Sequence, residues 1–249
     1  SADKEKKKKK KKMKKNINKK NKNKKQKRKK KEKKKKNKKK KDFHVVIAEK
    51  QTMGKGRLGK SWSSPSSGNV YMSIYSKELI NNTPLSLIVG LVCVTTLNSM
   101  IKKNSISLKW PNDMLYAKKK IGGILVEKEI KGKTINNIVG IGINLNHPKK
   151  EAWWGDLQKF KMHLRRDELI NKIIHSYIQF CDNGISNWQE LWHAHCVHLN
   201  HEIKIKQNNK VIDEGIFLGV NDDGSLNLKM DNNKETKYEY GEISIEGIY

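Results

Sequence analysis

Apolar and polar positions alternate through residues 70–75, where Val70, Met72 and Ile74 interleave with Tyr71, Ser73 and Tyr75; this predicts a strand with one face toward a core. The next segment follows another rule. From Leu85 to about Lys103, residues Leu85, Ile88, Val89, Val92 and Cys93 share one helical face and further apolar positions surround them, so the pattern predicts a helix buried against a sheet. "NNTP" at 81–84 starts that helix. "FHVVIAEK" (43–50), "ISLKW" (106–110), "MLYA" (114–117), "KIGGILVEKEI" (120–130) and "TINNIVGIGINL" (134–145) read as strands, with "PND" (111–113) a turn and Lys131-Gly132 a hairpin turn. One long helix is expected over Arg166 to Phe180. The sum is an α+β fold, a mixed to antiparallel sheet with helices packed beside it. Beyond about Asn200, short strands separated by "QNN", "NDDG" and "DNN" have the spacing of a small barrel. A unit of fewer than about 60 residues buries only a small core, so it is expected to lean on the larger one. The chain thus divides into residues 1–41, 42–198 and 199–249.

The first of these segments takes most of the charge. The 249 residues carry a formal net charge of +30, and residues 1–41 hold 27 Lys and one Arg against Asp3, Glu5 and Glu32, leaving only about +5 for the rest. With Ala2, Met13 and Ile17 as its apolar side chains, this tract cannot offset the entropy of ordering and reads as disordered. It suits non-specific anion binding through counterion release, or else is low-complexity drift in a chain rich in Asn and Lys. It has neither the apolar stretch of a signal peptide nor the Arg- and Ser-rich periodicity of a transit peptide. The chain opens Ser-Ala-Asp without an initiator Met, as a piece of a longer protein would. Cys93, Cys181 and Cys196 form no paired framework and fit a reducing, cytoplasmic compartment. The longest apolar stretch, "LSLIVGLVCV" at 85–94, is too short to span a bilayer, so no membrane insertion is expected.

Two stretches carry candidate chemistry. "QTMGKGRLGKSW" (51–62) has Gly54, Gly56 and Gly59 for close backbone approach, and Lys55, Arg57 and Lys60 to face an anion. It meets the P-loop expression G-x-x-x-x-G-K-[ST], but "WSSPSSGN" follows where a P-loop needs a helix. In "KWPNDMLYAKKKIGG" (109–123), Asp113 could hold Mg²⁺ or orient an amine and Lys120 could reach a carboxylate or phosphate. The plainer alternatives are an Asp that caps a turn and a solvated run of Lys118, Lys119 and Lys120. "HAHCVHLNH" (193–201) invites a zinc reading, yet one Cys with no Cys-x2-Cys pair fails the usual pattern. A nucleic-acid-binding module competes as an account of the charge, but that charge sits in a patternless tail.

Together the two stretches resemble the biotin–protein ligase family, of the short type without an N-terminal DNA-binding domain. The glycine-rich element of that family usually reads G-R-G-R-x-G-R-x-W and appears here as "GKGRLGKSW"; "KWPND", "KIGGILVE", "GIGINL" and "GEISI" follow in the family's order over residues 44–249. The resemblance implies a biotin/lipoate ligase-like catalytic domain with a small C-terminal SH3-like β-barrel. It implies adenylation of biotin by ATP with Mg²⁺, then transfer to a lysine of a biotin carboxyl carrier protein or domain of acetyl-CoA carboxylase. A homodimer is also implied. Gln51 would contact biotin, and Lys55, Arg57 and Lys60 would surround the carboxylate and phosphates with Gly54 and Gly56. Trp62 would pack near the adenine. Asp113 would be the acidic, metal-binding group, Lys120 would hold the carboxylate and non-bridging oxygen, and Arg57 would join them as a catalytic group. Lys109 and Asn112 would support them, with Gly123 and Asn144 against the adenylate. Lys55 and Lys60 replace family arginines, which keeps the charge and loses the planar fork. Where the family's Ser-Thr-Asn element usually lies, the chain has only its Lys-rich tract. Lipoate–protein ligase is the alternative enzyme.

Overall fold

A computed structural model describes residues 43–77, 84–103, 105–131, 134–147, 151–241 and 243–247. The expectations for the Lys-rich tract, for the helix start at Asn81 to Thr83 and for the Gly132 turn lie outside those residues.

Six antiparallel strands, β1 (Phe43–Ile47), β2 (Val70–Lys77), β3 (Ile106–Lys109), β4 (Asp113–Tyr116), β5 (Lys119–Lys131) and β6 (Thr134–Ile143), form one sheet in the order β1-β2-β6-β5-β4-β3. Helix α1 (Leu85–Ile101) lies between this sheet and helices α2 (Arg166–Asn183) and α3 (Trp188–His195). That placement explains its apolar surround: 14 of its 17 residues are buried. Gly90 marks a close approach to β3, since a Cβ there would come within 3.2 Å of Leu108 Cδ2. The helix stops at Lys102, in the left-handed region, and the Asn98 side chain joins its end to β3, accepting from Ser105 N and Ile106 N and donating to Ile106 O.

Two expectations need correction. Tyr71, read as facing away from the core, is buried; its hydroxyl donates to Pro65 O and accepts from Asn69, so loop residues cover the second face of β2. Helix α3 occupies residues given no element by the sequence pattern and ends three residues into the His-rich stretch, at His195, with Trp192 buried against the core. The expected small C-terminal β domain is present: β7 (Glu202–Gln207), β8 (Lys210–Val220), β9 (Leu226–Lys229), β10 (Glu235–Tyr238) and β11 (Ile243–Glu246) run antiparallel in the order β10-β9-β8-β7-β11. Its edge strands β10 and β11 share no ladder, and Arg57 donates to Tyr240 O and Gly241 O between them.

Phe43 to Tyr249 form one compact unit, and the leaning of the small sheet on the large one is visible in specific contacts. Buried Trp110 donates through Nε1 to Gly224 O at 3.0 Å, and Val220 N donates to His193 Nε2 at 2.9 Å. His193 is therefore committed to holding β8, and His198 is buried beside Phe217; among the described residues no group of three or more His, Cys, Asp or Glu could hold a metal. No helix among the described residues is long and apolar enough to cross a membrane.

Candidate active site

The β4–β5 hairpin builds one wall of the site. Its turn is Ala117-Lys118, both at positive φ (47° and 62°), which makes a tight two-residue link without glycine. From there Tyr116 pairs with Lys119 and Leu115 with Lys120, but Met114 pairs with Gly122 and Asp113 with Gly123. Ile121 is thus the extra residue of a bulge. Lys120 and Gly123 are three apart and would face opposite sides of a regular strand; the bulge between them puts both on the face of Asp113. Lys120 Nζ lies 2.6 Å from Asp113 Oδ1 and 5.5 Å from the centre of the Trp62 ring. A Cβ on Gly123 would touch Trp62, Asp113 and the Lys120 chain at 3.5–3.6 Å. Lys118 and Lys119 are exposed and Lys120 is half-buried.

Trp62 rests on glycine. A Cβ on Gly142 would sit 2.7–2.8 Å from the indole, so this position in β6 must lack a side chain for the ring to lie there. Gly142 pairs directly with Gly123 on β5, and the two form a flat floor. Trp62 Nε1 is buried without a hydrogen-bond partner among the described residues, a cost that a polar ligand group could relieve. Asn144, two residues past Gly142, uses its Nδ2 to hold Gly155 O at 3.1 Å, while its Oδ1 is likewise buried without a partner there.

The glycine-rich loop is a small hairpin of its own. Trp62 N donates to Gly54 O, Gly56 N to Lys60 O and Lys60 N to Arg57 O, around one 3-10 turn at Arg57–Gly59. Leu58 (φ 54°) and Gly59 (φ 70°) make the reversal. No helix opens at Lys60-Ser61, which removes the P-loop reading. Gln51 is tied to Ser64 by a bond from Ser64 Oγ to its Oε1 at 2.7 Å. Of the three loop cations, Arg57 alone turns inward: Lys55 and Lys60 are exposed, as is Gln51.

Arg57 donates to Asn112 Oδ1 at 3.4 Å and to the main-chain oxygens of Tyr240, Gly241 (3.2 Å) and Ile243 (3.4 Å). Burial lowers its pKa, with Asp113 and Tyr240 opposing that shift. Asn112 is held in turn by Nδ2 donation to Ile124 O and by Ile124 N donating to its carbonyl. Lys109, opposite Asp113 across β3 and β4, has its pKa brought down to about 8, mainly by burial; Asp113 opposes the shift and nearby Lys120 adds to it. The holding of Arg57 by the carbonyls of Tyr240, Gly241 and Ile243, in and beside the "GEISI" element, and the run Trp153-Trp154, whose main chain brackets Lys120, were not marked by the sequence. Both act through backbone oxygens and amides, which leave no residue-type signal.

Comparison with known proteins gives the arrangement relatives. The sequence model of the biotin/lipoate A/B protein ligase family matches residues 17–144, beginning inside the Lys-rich tract, and that of the biotin protein ligase C-terminal domain matches residues 198–245. The chain is 30% identical over 200 residues to the bifunctional ligase/repressor BirA of Salmonella typhimurium, covering 74% of this chain and 61% of that protein. It is 29% identical over 206 residues to the human biotin–protein ligase, covering 72% of this chain and 28% of that one. The biotin protein ligase of Aquifex aeolicus, solved in complex with biotin and ATP, superposes with a TM-score of 0.65 at 25% identity, covering 82% of this chain and 89% of that one. This chain thus spans under two thirds of the length of these two curated relatives.

Proposed function

Because this chain belongs to the biotin/lipoate A/B protein ligase family, we propose that it is an ATP-dependent biotin–protein ligase whose chemistry is carried by Arg57, Asp113 and Lys120 beside Trp62. The observation that carries this reading is the convergence of the inward Arg57, the Asp113–Lys120 pair and an indole lying on the Gly123–Gly142 floor. The relatives' own names and bound ligands, biotin and ATP among them, favour biotin over lipoate.

In the first step the biotin carboxylate oxygen attacks the α-phosphorus of ATP, the α–β P–O bond breaks, and pyrophosphate leaves. Two anions must meet for this to happen. Lys120 and Arg57 would offset their repulsion and stabilise charge as it builds on the non-bridging oxygens. Trp62 would give the adenine a flat apolar surface. In the second step a carrier lysine amine attacks the acyl carbon, AMP departs with the C–O electron pair, and the amine loses a proton. Asp113 would orient the incoming amine. Lys55 and Lys60 would join only when the loop tip closes, with Gly54 and Gly56 allowing that approach. The donor set fits Mg²⁺ as a shared ion: Asp113 offers one carboxylate, and this metal usually takes one or two carboxylates plus phosphates and water. Its contribution when bound is to neutralise departing pyrophosphate.

A biotin carboxyl carrier domain of acetyl-CoA carboxylase as acceptor, a homodimer and a cytoplasmic setting belong to the same reading, as does a division at residues 198–199. The C-terminal sheet would serve the chemistry by supplying the carbonyls that hold Arg57. The deciding experiment is incubation with ATP, Mg²⁺ and either biotin or lipoate, with mass detection of the acyl-adenylate. Biotinyl-5′-AMP is expected; formation of lipoyl-AMP alone, or of neither, would overturn the assignment.

A further inference from the structure

We propose that Arg166, the first residue of α2, is a positioning residue that staples the two ends of the glycine-rich loop and sets the loop in register with the adenylate site. One guanidinium makes three bonds to the two ends of a single segment. Nη2 donates to Ala48 O at 3.1 Å and Nη1 to Glu49 Oε1 at 2.7 Å, just before the loop. Nε donates to Asn69 O at 2.8 Å, just after it. Residues 50–68 therefore leave from and return to one side chain. The planar fork of donors suits this task and a lysine does not.

The staple reaches the site through Asn69, which is buried. Its Nδ2 donates to Ser67 Oγ and to Tyr71 OH, both at 2.9 Å, and its Oδ1 accepts from Leu145 N and Asn146 N, both at 2.8 Å. Asn144 is the preceding residue, and Gly142, the floor beneath Trp62, lies two residues before that. Arg166 thus fixes the loop ends to the same strand end that carries the floor. Above the staple, Gln51 N donates to Ser64 O and Ser64 Oγ to Gln51 Oε1; beyond that tie the side chains other than Arg57 and Trp62 turn to solvent, Met53 84% and Leu58 52% exposed.

Helix stability gives no reason for this arginine. A cation in the first turn opposes the helix dipole, while Asp167 and Glu168 supply the favourable charge there. Its neighbour Arg165 is the internal control, since it is exposed and pairs with exposed Asp167.

The catalytic consequence rests on the ligase reading; the staple rests on geometry alone, and the test separates them. Arg166→Gln, Arg166→Lys and Arg165→Gln are compared with the unaltered protein. In the absence of ligand, amide hydrogen exchange of the 50–64 peptide is expected to rise about 10-fold in both Arg166 variants, with core peptides unchanged and Arg165→Gln normal. With ATP, Mg²⁺ and biotin, both Arg166 variants should raise KM for biotin and ATP about 10-fold and shed a larger share of biotinyl-5′-AMP into solution, since a loop out of register closes poorly. Unchanged exchange over 50–64, an increase spread evenly through the protein, or an Arg166→Lys variant equal to the unaltered one would overturn the proposal. So would raised exchange with normal KM and normal retention of the adenylate. If the unaltered protein makes no acyl-adenylate, the ligase reading fails, and the exchange comparison still decides the staple.

Discussion

The β4–β5 hairpin and the glycine-rich loop bring cations toward the same carboxylate, Asp113, but by opposite means. In the hairpin every position is set by the sheet: a two-residue turn, one bulge and the pairing with β6 leave Lys120 in contact with Asp113 before any ligand arrives. In the loop the two ends, Arg57 and the loop's own main-chain hairpin are held, while the other two cations face solvent. The difference separates two jobs. Groups that stabilise charge in the transition state gain from being fixed in advance, because no reorganisation is then needed during the reaction. Groups that admit the substrate and afterwards exclude water must move.

The largest effect should fall on the fixed arm. Lys120→Ala and Asp113→Ala are each expected to lower the kcat of adenylation about 100-fold or more, equivalent to roughly 2.7 kcal/mol of transition-state stabilisation. Lys118→Ala and Lys119→Ala should stay within about twofold, because both side chains are exposed on the far end of the hairpin. Pyrophosphate release across a range of biotin concentrations measures this. Lys55→Ala or Lys60→Ala matching Lys120→Ala in kcat, with KM unmoved, would erase the contrast between the two regions.

An intermediate effect tests where the regions meet. Gly142→Ala places a methyl 2.7–2.8 Å from the Trp62 indole, and the ring must give way. Overpacking of this kind costs about 1–3 kcal/mol, expected as a lower Tm together with a higher KM for ATP. The companion variant is Trp62→Ala. In that background the glycine substitution should cost little, so the two changes should be strongly non-additive. Simple additivity in Tm would show that the floor and the ring are independent.

Local patterns were legible and non-local ones were not. The buried α1 helix and the turns at Asn208-Asn209 and Asn233 follow from composition or from motifs read over a dozen residues, whereas the ion pair of Asp113 with Lys120 depends on a bulge that no motif announces. Helix α3 escaped because two turns with Trp188 and Trp192 carry little period, and Asn187 makes no side-chain cap. The Ala117-Lys118 turn escaped because neither residue is a usual choice at positive φ. Tyr71 misled through its strand alternation, which cannot register a loop 65–69 folding back over the outer face. The contacts of Arg57 with Tyr240 O and Gly241 O, more than 180 residues away, are equally invisible to a local pattern. Arg166 is a further case: nothing near it in sequence says that its partners are residues 48, 49 and 69.

The smallest effect concerns Lys109, on the fixed side of the site. Burial disfavours its ammonium form and brings its pKa to about 8, so near pH 8 about half the molecules carry it neutral. A polyphosphate nearby favours the charged form and pushes the pKa back up. The sign follows: binding ATP at pH 8 should take up roughly half a proton from solution, and the uptake should vanish toward pH 6.5, where Lys109 is already charged. Affinity for ATP should correspondingly weaken as pH rises above 8, since the ligand must then recruit the proton itself. Calorimetric titration of ATP in buffers of different ionisation enthalpy gives the proton count directly, and Lys109→Met should abolish the uptake. A loop cation such as Lys60, exposed and held by no neighbouring sheet, should give no comparable loss when replaced by Met. Equal uptake in the unaltered protein and in Lys109→Met would place the titrating group elsewhere and remove Lys109 from the set of groups that answer the incoming phosphates.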